Sequence, residues 1–556
     1  METSLGYDKE LKPRNDSATQ ERCAKRIKDF QYLAGLRGNW NTHWTEIAQR
    51  IYPMHSYLFQ NYAQLNSQGD KRNQQVYDST GILALSRFGA ILDSLLTPRN
   101  QFWHHMRPAD SVLLRDKATR LWFSEVNDIL FERRYAPTAN FSSQNQNQYK
   151  SLGAYGTGIN FIDDLSGTPG IRYRNIHLGE CYLEENHQGM IDGVCRYFRL
   201  TARQAIQMFG DQCPEQITSI VNEFPEREFF FLHWVKPRAD LDPERKDFKG
   251  MKYVSEYISI EGQKMVAEGG YHTFPYAISR YEQAPNEPYG RSPAMDALPA
   301  IKTLNEQKKA MLKQGQRALD PILLAADDGI LDAFSMVSGA VISGGISPEG
   351  RMLVQPLPTG QLQAGKELMD DEVKLINDTF LVTIFQLLTE TREMTATEVM
   401  ERTREKGILL APTIGRQQSE YLGPLIDREL DILSRQGLLP KMPPMLRSAQ
   451  GEYKITYDSP ISRTQKAEWA SGAVRTIEIM LNYAAQSGDP SVLDILDMDK
   501  AGPEIAEIYG TPAPWIRGKE DIAKIRQGRQ QQQQVQQAID AAPAAAGIMK
   551  AKAAIG

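Results

Sequence analysis

Cysteine is scarce in this sequence and lies scattered. The 556 residues hold four cysteines, Cys23, Cys181, Cys195 and Cys213. Zinc sites and disulfide frameworks rely on regular cysteine and histidine spacings, and neither a CxxC pair nor a suitably placed histidine occurs here. The sequence therefore predicts reduced thiols in a cytoplasmic setting, with no metal and no other cofactor.

Long apolar runs and a basic excess are missing as well. No stretch of about 18 uninterrupted apolar residues occurs, so we expect no membrane span. The polar, charged beginning of the chain gives no sign of a secretory signal. A formal net charge of −5 and a pI of about 6.0 do not indicate nucleic-acid binding, although they allow a protein that surrounds DNA without gripping it. The length predicts more than one domain.

Familiar catalytic motifs are absent or incomplete. Residues 360–367, GQLQAGKE, have the glycines and the lysine of a P-loop, but Glu367 stands where a Ser or Thr hydroxyl would hold Mg²⁺. The glycines of residues 153–158 indicate a tight turn from helix to strand. His104 and His105 are adjacent, so both cannot reach one metal from one helix face. Since HExxH and GxSxG are also missing, an enzyme with a dispersed active site stays open only as an alternative.

The first part of the chain is helical in pattern, and a β-rich part follows. Residues 1–20 are predicted to be disordered. Apolar spacing predicts helices over Glu21–Tyr52, 76–98, 112–134 and 138–153. From 157 to 285, β-branched and aromatic residues between turn signals predict strands. The expected hairpin turns are Asn186–Gly189 and Glu261–Gly262, and a short helix is expected at 201–210.

Two long helices of opposite charge come next. Ser292 and Pro293 supply a cap and an N1 proline for the first helix, which ends before Pro321. A small β-containing insertion follows at 321–360, and the second helix spans about 362–389. The segment 291–320 carries a net charge of +3, with Lys302, Lys309 and Lys313 among its basic residues. The segment 361–390 carries −4, with Glu367 and Asp371 among its acidic residues.

Such opposite charges suit lateral pairing, either between the two helices or between repeated copies in a ring. A solvated hairpin with ordinary surface charge explains them equally well.

A strong helix-start signal stands directly after the second helix. Thr395-Ala396-Thr397-Glu398 fits a capping box, and Met394 with Val399 fits a hydrophobic staple. Thr391, Arg392 and Glu393 would then form the tip of a short loop. The next helix is predicted from 396 to about 436, with kinks at Pro412 and Pro424 and a C-terminal cap at Gly437.

The end of the chain is helical, then rich in Gln and Ala. A helical block is predicted over 462–510. The segment 516–556 carries a net charge of +4. Its apolar residues Ile522, Ile525, Val535 and Ile539 suit a helix completed by neighbouring copies, with plain disorder as the alternative.

Several stretches, in this order, resemble the head-to-tail connector, or portal, proteins of short-tailed bacteriophages. The resemblance lies in Tyr77–Gly81 before the helix that ends at Leu95–Pro98 with Trp103 after it, Pro288–Pro293, Thr395–Glu398, and Pro514-Trp515 leading to the glutamine tract. It extends over about residues 20–540. No single motif is decisive, but their order and spacing are fairly specific.

The resemblance implies an α+β, predominantly α-helical portal fold, assembled as a ring of twelve copies. It implies this division: 1–20 disordered N-terminus; 21–290 wing, first helical and then β-rich; 291–320 first stem helix; 321–360 clip; 361–390 second stem helix; 391–395 tunnel loop; 396–460 kinked wing helix and return strand; 461–515 crown; 516–556 C-terminal barrel helix or tail. The tunnel loop, Thr391 to Thr395, would project into the channel toward passing DNA.

The implied function is that of a passive conduit at one capsid vertex of the virion, assembled in the host cytoplasm. Double-stranded DNA would be packaged and ejected through the ring. The implied partners are further copies of the chain, the terminase large subunit that supplies ATP hydrolysis, capsid or scaffold proteins, and tail adaptors, without a membrane. We therefore expect no enzyme activity. The alternatives are a DNA-processing enzyme with a dispersed active site and another structural virion protein.

Overall fold

The chain forms two compact units. The computed structural model describes residues 16–56, 59, 69–110, 113, 116–165, 168–245, 247–320, 322–325, 346–357, 362–383, 410–448, 451–457, 460–488, 495–508, 511, 515, 517, 521–534 and 536. Unit one comprises the described parts of Met1–Thr97 and Arg134–Gln436. Unit two comprises those of Pro98–Arg133 and Gly437–Gly556.

Helices and strands alternate in blocks, much as the sequence pattern predicts. The helices are α1 Ser17–Leu36, α2 Gly38–Ile51, α3 Thr80–Leu96, α4 Lys117–Tyr135, α5 Phe141–Tyr155, α6 Ala202–Phe209, α7 Glu215–Thr218, α8 Pro293–Leu319, α9 Leu362–Thr379, α10 Gly423–Arg435, α11 Pro444–Ser448, α12 Pro460–Ser487 and α13 Met498–Ile508. The strands are β1 His104–Pro108, β2 Thr157–Asp164, β3 Ile171–Asn175, β4 Cys181–Glu185, β5 Ile191–Thr201, β6 Glu228–Pro237, β7 Tyr253–Ser259, β8 Lys264–Tyr271, β9 Tyr276–Arg280, β10 Leu323–Ala325, β11 Val354–Pro356 and β12 Tyr453–Tyr457. Residues 410–417 and 521–534 are also helical. Among the described residues, no helix is both long enough and apolar enough to cross a membrane.

Antiparallel sheets make up the β-rich part of unit one. The larger sheet has the strand order β4-β5-β6-β7-β8, and a smaller one has the order β3-β2-β9. The predicted hairpin turn between β4 and β5 is confirmed, since the Gly189 N–H donates to the Asn186 carbonyl at 3.0 Å and Gly189 has a φ of +78°. The turn predicted at Glu261–Gly262 joins β7 to β8.

The five-stranded sheet is covered on both faces. Successive side chains of a strand point to opposite faces, so Trp234 and Phe231 of β6 belong to different cores. Trp234 lies in an apolar cluster with Cys23 of α1. Phe231 lies in a second cluster with Ile217 of α7. The sheet is therefore a rigid centre for unit one.

The junction between α5, β2 and α8 is close-packed at its backbone. Gly156, with a φ of +76°, ends α5 as predicted, and a Cβ added there would lie 2.2 Å from the Gly290 carbonyl oxygen. The Ser292 Oγ accepts from the Met295 N–H at 3.1 Å and donates to the Ala154 carbonyl at 2.9 Å. The predicted serine cap is thus confirmed, and it also fixes the start of α8 against the end of α5.

A buried ion pair holds α10 in unit one. Arg134 and Glu429 are both fully buried, and the Arg134 Nε donates to the Glu429 carboxylate at 2.9 Å. The Tyr173 hydroxyl donates to the same carboxylate at 2.6 Å. Although burial alone lowers the pKa of Arg134, the adjacent carboxylate outweighs it and raises that pKa overall. Arg134 therefore stays charged, and removal of the Glu429 side chain would leave that charge buried without its partner.

Helix α1 corrects the predicted disorder of residues 1–20. It begins at Ser17, where the Asp16 carboxylate accepts from the Thr19 N–H at 2.8 Å. Residues 17–20 are therefore helical, and the prediction is wrong for them. The aspartate cap supplies the physical reason, because it satisfies a backbone donor of the first turn. Residues 1–15 lie outside the described part of the chain.

Helix α9 corrects the predicted second long helix. It ends at Thr379, and Leu381 has a φ of +61° that no helix interior allows. Phe380 and Val382 on either side of it are 0% and 2% exposed. Residues 382 and 383 are helical again, so the predicted helix is interrupted at residues 380 and 381 in its described part. Burial of Phe380 and Val382 outweighs the regular apolar spacing at that point. Residues 384–389 are not among those described.

The long helix predicted over 396–436 is helical throughout its described part. Residues 410–417, which include Pro412, are helical, and the residues directly before 410 lie outside the described part, so the kink at Pro412 stays a prediction. Near the second predicted kink, a π-helical turn occupies Gln418–Leu422 and ends two residues before Pro424. Proline has no N–H to donate, and a wider turn accommodates the missing bond. Gly437 has a φ of +68°, as its predicted capping role requires.

Unit two is smaller and is built on a two-stranded sheet. β1 and β12 pair antiparallel, with His104 opposite Tyr457. Two ion pairs attach the helical residues 521–534, Arg526 to Asp499 at 2.6 Å and Lys117 to Asp521 at 2.7 Å. Residues 98–133 thus group with the C-terminal segments, whereas the predicted division placed them with the wing.

Candidate functional site

The hairpin formed by α8, α9 and the strands between them is the candidate functional surface. Helix α8 is anchored at its N-terminal end, where Leu298, Ile301 and Leu304 are buried. From Lys308 to Leu319 no side chain of α8 is buried. The helix therefore leaves the core of unit one and continues as a projecting arm.

Exposed apolar side chains are concentrated on this hairpin. Of the 26 large apolar side chains that are exposed in the described residues, nine lie between residues 312 and 375. The nine are Leu312, Leu319, Ile322, Leu324, Ile346, Met352, Leu357, Leu368 and Leu375. Exposed apolar side chains concentrated on one segment often mark a binding surface, because their contact with water is unfavourable.

Helix α9 has two distinct apolar faces. Met369 and Ile376, seven residues apart, are buried against the rest of unit one. Leu368 and Leu375, also seven residues apart, are 60% and 55% exposed. Residues seven apart lie on the same side of a helix, so the exposed leucines form a stripe beside the buried one. One stripe therefore packs within the chain, and the other has no cover from the described residues.

Helix α8 repeats this arrangement with the opposite charge. Leu312 and Leu319 are seven residues apart and exposed. Lys309, Lys313 and Arg317 follow one another at four-residue intervals and therefore form a basic ridge along one side of the helix. Hence α8 carries an apolar pair beside a basic ridge.

The acidic ridge of α9 completes the pattern. Glu367 and Asp371 stand four residues apart on the side of α9 next to Leu368 and Leu375, and both are exposed. The Lys374 Nζ lies 3.4 Å from the Asp371 carboxylate and partly balances this ridge.

The structure shows where each predicted stem lysine lies. The Lys302 Nζ lies 2.7 Å from the Glu46 carboxylate of α2. The hydrogen bond from Lys302 lowers the pKa of Glu46 despite the opposing effect of burial. Lys309 lies 3.7 Å from Glu306 of its own helix, and Lys313 has no ion-pair partner among the described residues.

The basic ridge of α8 and the acidic ridge of α9 do not form ion pairs with each other in the described part of the chain. Helices α8 and α9 pack against each other, but in the described residues no ion pair joins them. Pairing between copies and a solvated hairpin with ordinary surface charge are the two explanations that remain for the ridges.

The strands between the helices form a small sheet. β10 and β11 pair antiparallel, with Leu323 opposite Pro356 and Ala325 opposite Val354. This agrees with the β-containing insertion expected at 321–360. Residues 326–345 are outside the described part.

The predicted tunnel-loop residues cannot be placed on this surface. Thr391, Arg392, Glu393, Met394 and Thr395 lie outside the described residues, as do Glu398 and Val399. The capping box, the staple and the loop tip therefore stay predictions. Leu381, the last residue with a positive φ before them, interrupts the helix between α9 and residues 382 and 383.

The motifs that sequence analysis considered for catalysis have structural explanations. Lys366 and Glu367 of the incomplete P-loop lie on α9 and are exposed. His104 lies buried in β1, where it pairs across to β12. No group of three or more His, Cys, Asp or Glu side chains that could hold a metal ion occurs in the described residues.

The exposed leucine stripes and the Glu46 partner of Lys302 were not predicted from the sequence. The spacing of Leu312 with Leu319 and of Leu368 with Leu375 was visible in the sequence. Residue spacing does not show which of its two apolar stripes each helix buries. The Glu46 contact joins residues 256 positions apart, and no local pattern signals it.

Known proteins match this chain over nearly all its length. The family model for the bacteriophage head to tail connecting protein matches residues 23–516. The portal protein of Salmonella phage epsilon15 is 28% identical over 537 residues, which cover 94% of this chain and 93% of that protein. The probable portal protein of Bordetella phage BPP-1 is 26% identical over 504 residues, covering 89% and 88%.

Solved structures give weaker matches. A chain from the neck of an empty GTA particle, computed with C6 symmetry, is 12% identical with a TM-score of 0.36, covering 71% of this chain and 86% of that one. A chain from the neck of a native GTA particle, computed with C12 symmetry, is 11% identical with a TM-score of 0.35, covering 70% and 84%.

Proposed function

The chain belongs to the bacteriophage head to tail connecting protein family, and from that membership we propose that it is a portal subunit that closes into a ring. The ring forms the channel at one capsid vertex through which double-stranded viral DNA is packaged and later ejected. Twelve copies are proposed. The chain is a structural connector, and the energy for packaging comes from a separate terminase.

The exposed stem hairpin is the observation that supports ring formation. A single chain leaves its apolar stripes in water and carries a basic ridge on one helix and an acidic ridge on the next. A surface that binds a different surface of an identical copy is heterologous, and heterologous contacts close into rings when the rotation allows it. The basic and acidic ridges of one hairpin are two different, complementary surfaces, as a heterologous contact requires.

The charge balance is also compatible with a DNA conduit. Many lysine contacts to phosphate would hold the duplex in place, because each releases counterions and adds affinity. The net charge of −5 instead favours a wall along which DNA slides. Cationic contacts would then be restricted to a few positions, with the tunnel loop at Thr391–Thr395 proposed as one of them.

The remaining parts of the division are proposed on the same basis. The sheet-centred region forms the wing, α8 and α9 the stem, and β10 with β11 the clip, which faces the terminase and later the tail adaptor. The helical residues 521–534, attached to α13 through Arg526 and Asp499, begin the proposed C-terminal barrel. Capsid or scaffold proteins are the proposed partners of the wing.

Imaging of the purified full chain tests this function. Negative-stain micrographs should show closed rings with a central opening, and sedimentation should give a particle mass near twelve times 62.8 kDa. A compact monomer would contradict the proposal and favour the alternative of an enzyme with a dispersed active site. A closed ring with no opening would favour another structural virion protein.

A further inference from the structure

The stem hairpin carries two outward strips that complement each other. The basic strip consists of Leu312, Lys313 and Leu319 on α8, and the acidic strip consists of Glu367, Leu368 and Leu375 on α9. All six side chains are exposed. Neither Lys313 nor Glu367 has an ion-pair partner among the described residues.

The strips lie outside the contact between the two helices of one chain. On α9, the buried Met369 and Ile376 are each one residue beyond Leu368 and Leu375. One residue turns a helix by about 100°, so the exposed leucines point well away from the buried face. The strips of α8 and α9 therefore cannot cover each other within a chain, and each needs a partner from outside.

The distances along the two helices match. Both helices leave the same two-stranded sheet of β10 and β11. Lys313 lies six residues before the end of α8, which is about 9 Å along the axis. Glu367 lies five residues after the start of α9, which is about 8 Å. Leu312 and Leu368 lie at about 10 and 9 Å by the same measure.

These observations point to one occupant. We infer that the basic strip of α8 packs on the acidic strip of α9 of the next copy, with Lys313 facing Glu367 and Leu312 against Leu368. In this seam the ends of α8 and α9 that adjoin the sheet are level and the ring axis runs along the stem, so rotation about that axis keeps heights unchanged and groups at equal height meet. This seam rests on the proposed ring function and names the residues that join neighbouring copies.

The seam has an apolar part and a charged part with different roles. Packing Leu312 against Leu368 removes apolar surface from water and supplies affinity. The opposite charges of Lys313 and Glu367 set which strip meets which, because the reversed contacts of α8 with α8 or α9 with α9 would bring like charges together. The pair therefore selects head-to-tail closure over an isologous dimer.

A charge exchange tests the seam. The variants Lys313→Glu and Glu367→Lys each place like charges in every seam, and we expect the fraction of chains in rings to fall by at least half in each. The double variant K313E/E367K restores opposite charges, and its ring fraction should return to near the wild-type value. Sedimentation at low salt measures the fractions, since screening weakens exposed charge pairs.

Matched controls separate the seam from general effects. Lys28→Glu makes the same charge change on the exposed side of α1, and its ring fraction should match wild type. Leu312→Met keeps an apolar side chain and should assemble, whereas Leu312→Ser should lose at least half of its rings. Since Leu312 is 50% exposed in the chain, neither change should unfold the subunit, which circular dichroism checks.

The ring fractions of the wild type and the variants distinguish failure of the seam from failure of the proposed function. If the wild-type chain forms rings and both single charge variants form them equally well, the seam is wrong and the proposed function stands. If the single variants fail and the double variant is not restored, the pairing of Lys313 with Glu367 is also wrong. If the wild-type chain forms no rings at all, the proposed function fails and the seam with it.

Discussion

At the scale of single residues, buried polar groups fix the core of unit one. His233 of β6 lies between the Tyr276 hydroxyl at 3.0 Å and the Ser255 hydroxyl at 3.1 Å. Its ring stacks on Tyr257 with centroids 4.0 Å apart. Burial, followed by the nearby Arg196 and Arg174, lowers the pKa of His233 well below 6.5. The folded protein therefore holds this imidazole in its neutral form.

The neutral His233 predicts a loss of stability at acid pH. Below pH 6.5 the unfolded chain binds a proton at this histidine that the folded chain does not, so the free energy of unfolding decreases as pH falls. For a histidine that stays neutral in the fold, the loss between pH 7.5 and 5.0 is about 2 kcal/mol. Urea denaturation at pH 7.5 and 5.0 measures it.

Two glutamine variants isolate the contribution of His233. His233→Gln removes the titrating group while keeping a donor and an acceptor, so the difference in stability between the two pH values should shrink by about 2 kcal/mol. His187→Gln changes an exposed histidine in the turn between β4 and β5 and should leave the wild-type difference unchanged. Equal pH dependence in both variants would show that His233 plays no part.

At the scale of elements, helix α9 shows how packing interrupts a helix that the sequence would continue. The left-handed backbone at Leu381 costs about 1–2 kcal/mol for a residue with a side chain. The flanking burial of Phe380, which lies 6.2 Å from the Phe88 ring centroid, compensates for it. The helix that begins with α9 is therefore interrupted at a defined residue before the proposed tunnel loop.

The interruption makes the order of two substitutions at Leu381 predictable. In a continuous helix alanine is more stable than glycine by about 1 kcal/mol. At a left-handed position the order reverses, because glycine has no Cβ to clash. We therefore expect Leu381→Gly to be more stable than Leu381→Ala by about 1 kcal/mol in chemical denaturation. Greater stability of the alanine variant would show that the helix continues through residue 381.

At the scale of the whole molecule, ring closure and DNA passage involve different parts of the chain. The seam lies on α8 and α9, whereas the proposed contact with DNA lies in the loop after them. Subunits should therefore assemble independently of the loop. The capping box at Thr395–Glu398 would hold the short polar tip at a defined angle.

Deletion of Thr391–Met394 tests this separation. The variant should form rings with the wild-type size, because the seam is untouched. Packaging or retention of DNA in assembled particles should decrease, since Arg392 and its neighbours can no longer touch phosphate. Particle DNA content, measured per capsid, gives the result, and replacement of 391–394 by four alternating Gly and Ser residues serves as a length control. Normal packaging and retention in the deletion variant would contradict a role for the loop.

The sequence by itself determined the order of elements and the family. Local sequence signals predicted the structure correctly where the backbone requires a particular residue type. Examples are the helix cap at Ser292 and the positive φ values at Gly189 and Gly437. Apolar spacing placed α3, α5 and α8 within a few residues, since a helix must bury one side. The opposite charges of the two stem helices also came from the sequence alone.

Only the tertiary structure decided which of several equivalent surfaces are buried and where helices stop. The Arg37 guanidinium donates to the Gly179 and Cys181 carbonyls at 2.8 and 2.7 Å, at the point where the helical pattern of 21–52 divides into α1 and α2. Leu381 and the π turn before Pro424 likewise depend on contacts with residues far away in the chain. Sequence spacing shows which side chains share a face of a helix. It does not show which face is buried, because burial depends on the elements that pack against the helix, and the exposed leucines of α8 and α9 were therefore visible only in the tertiary structure.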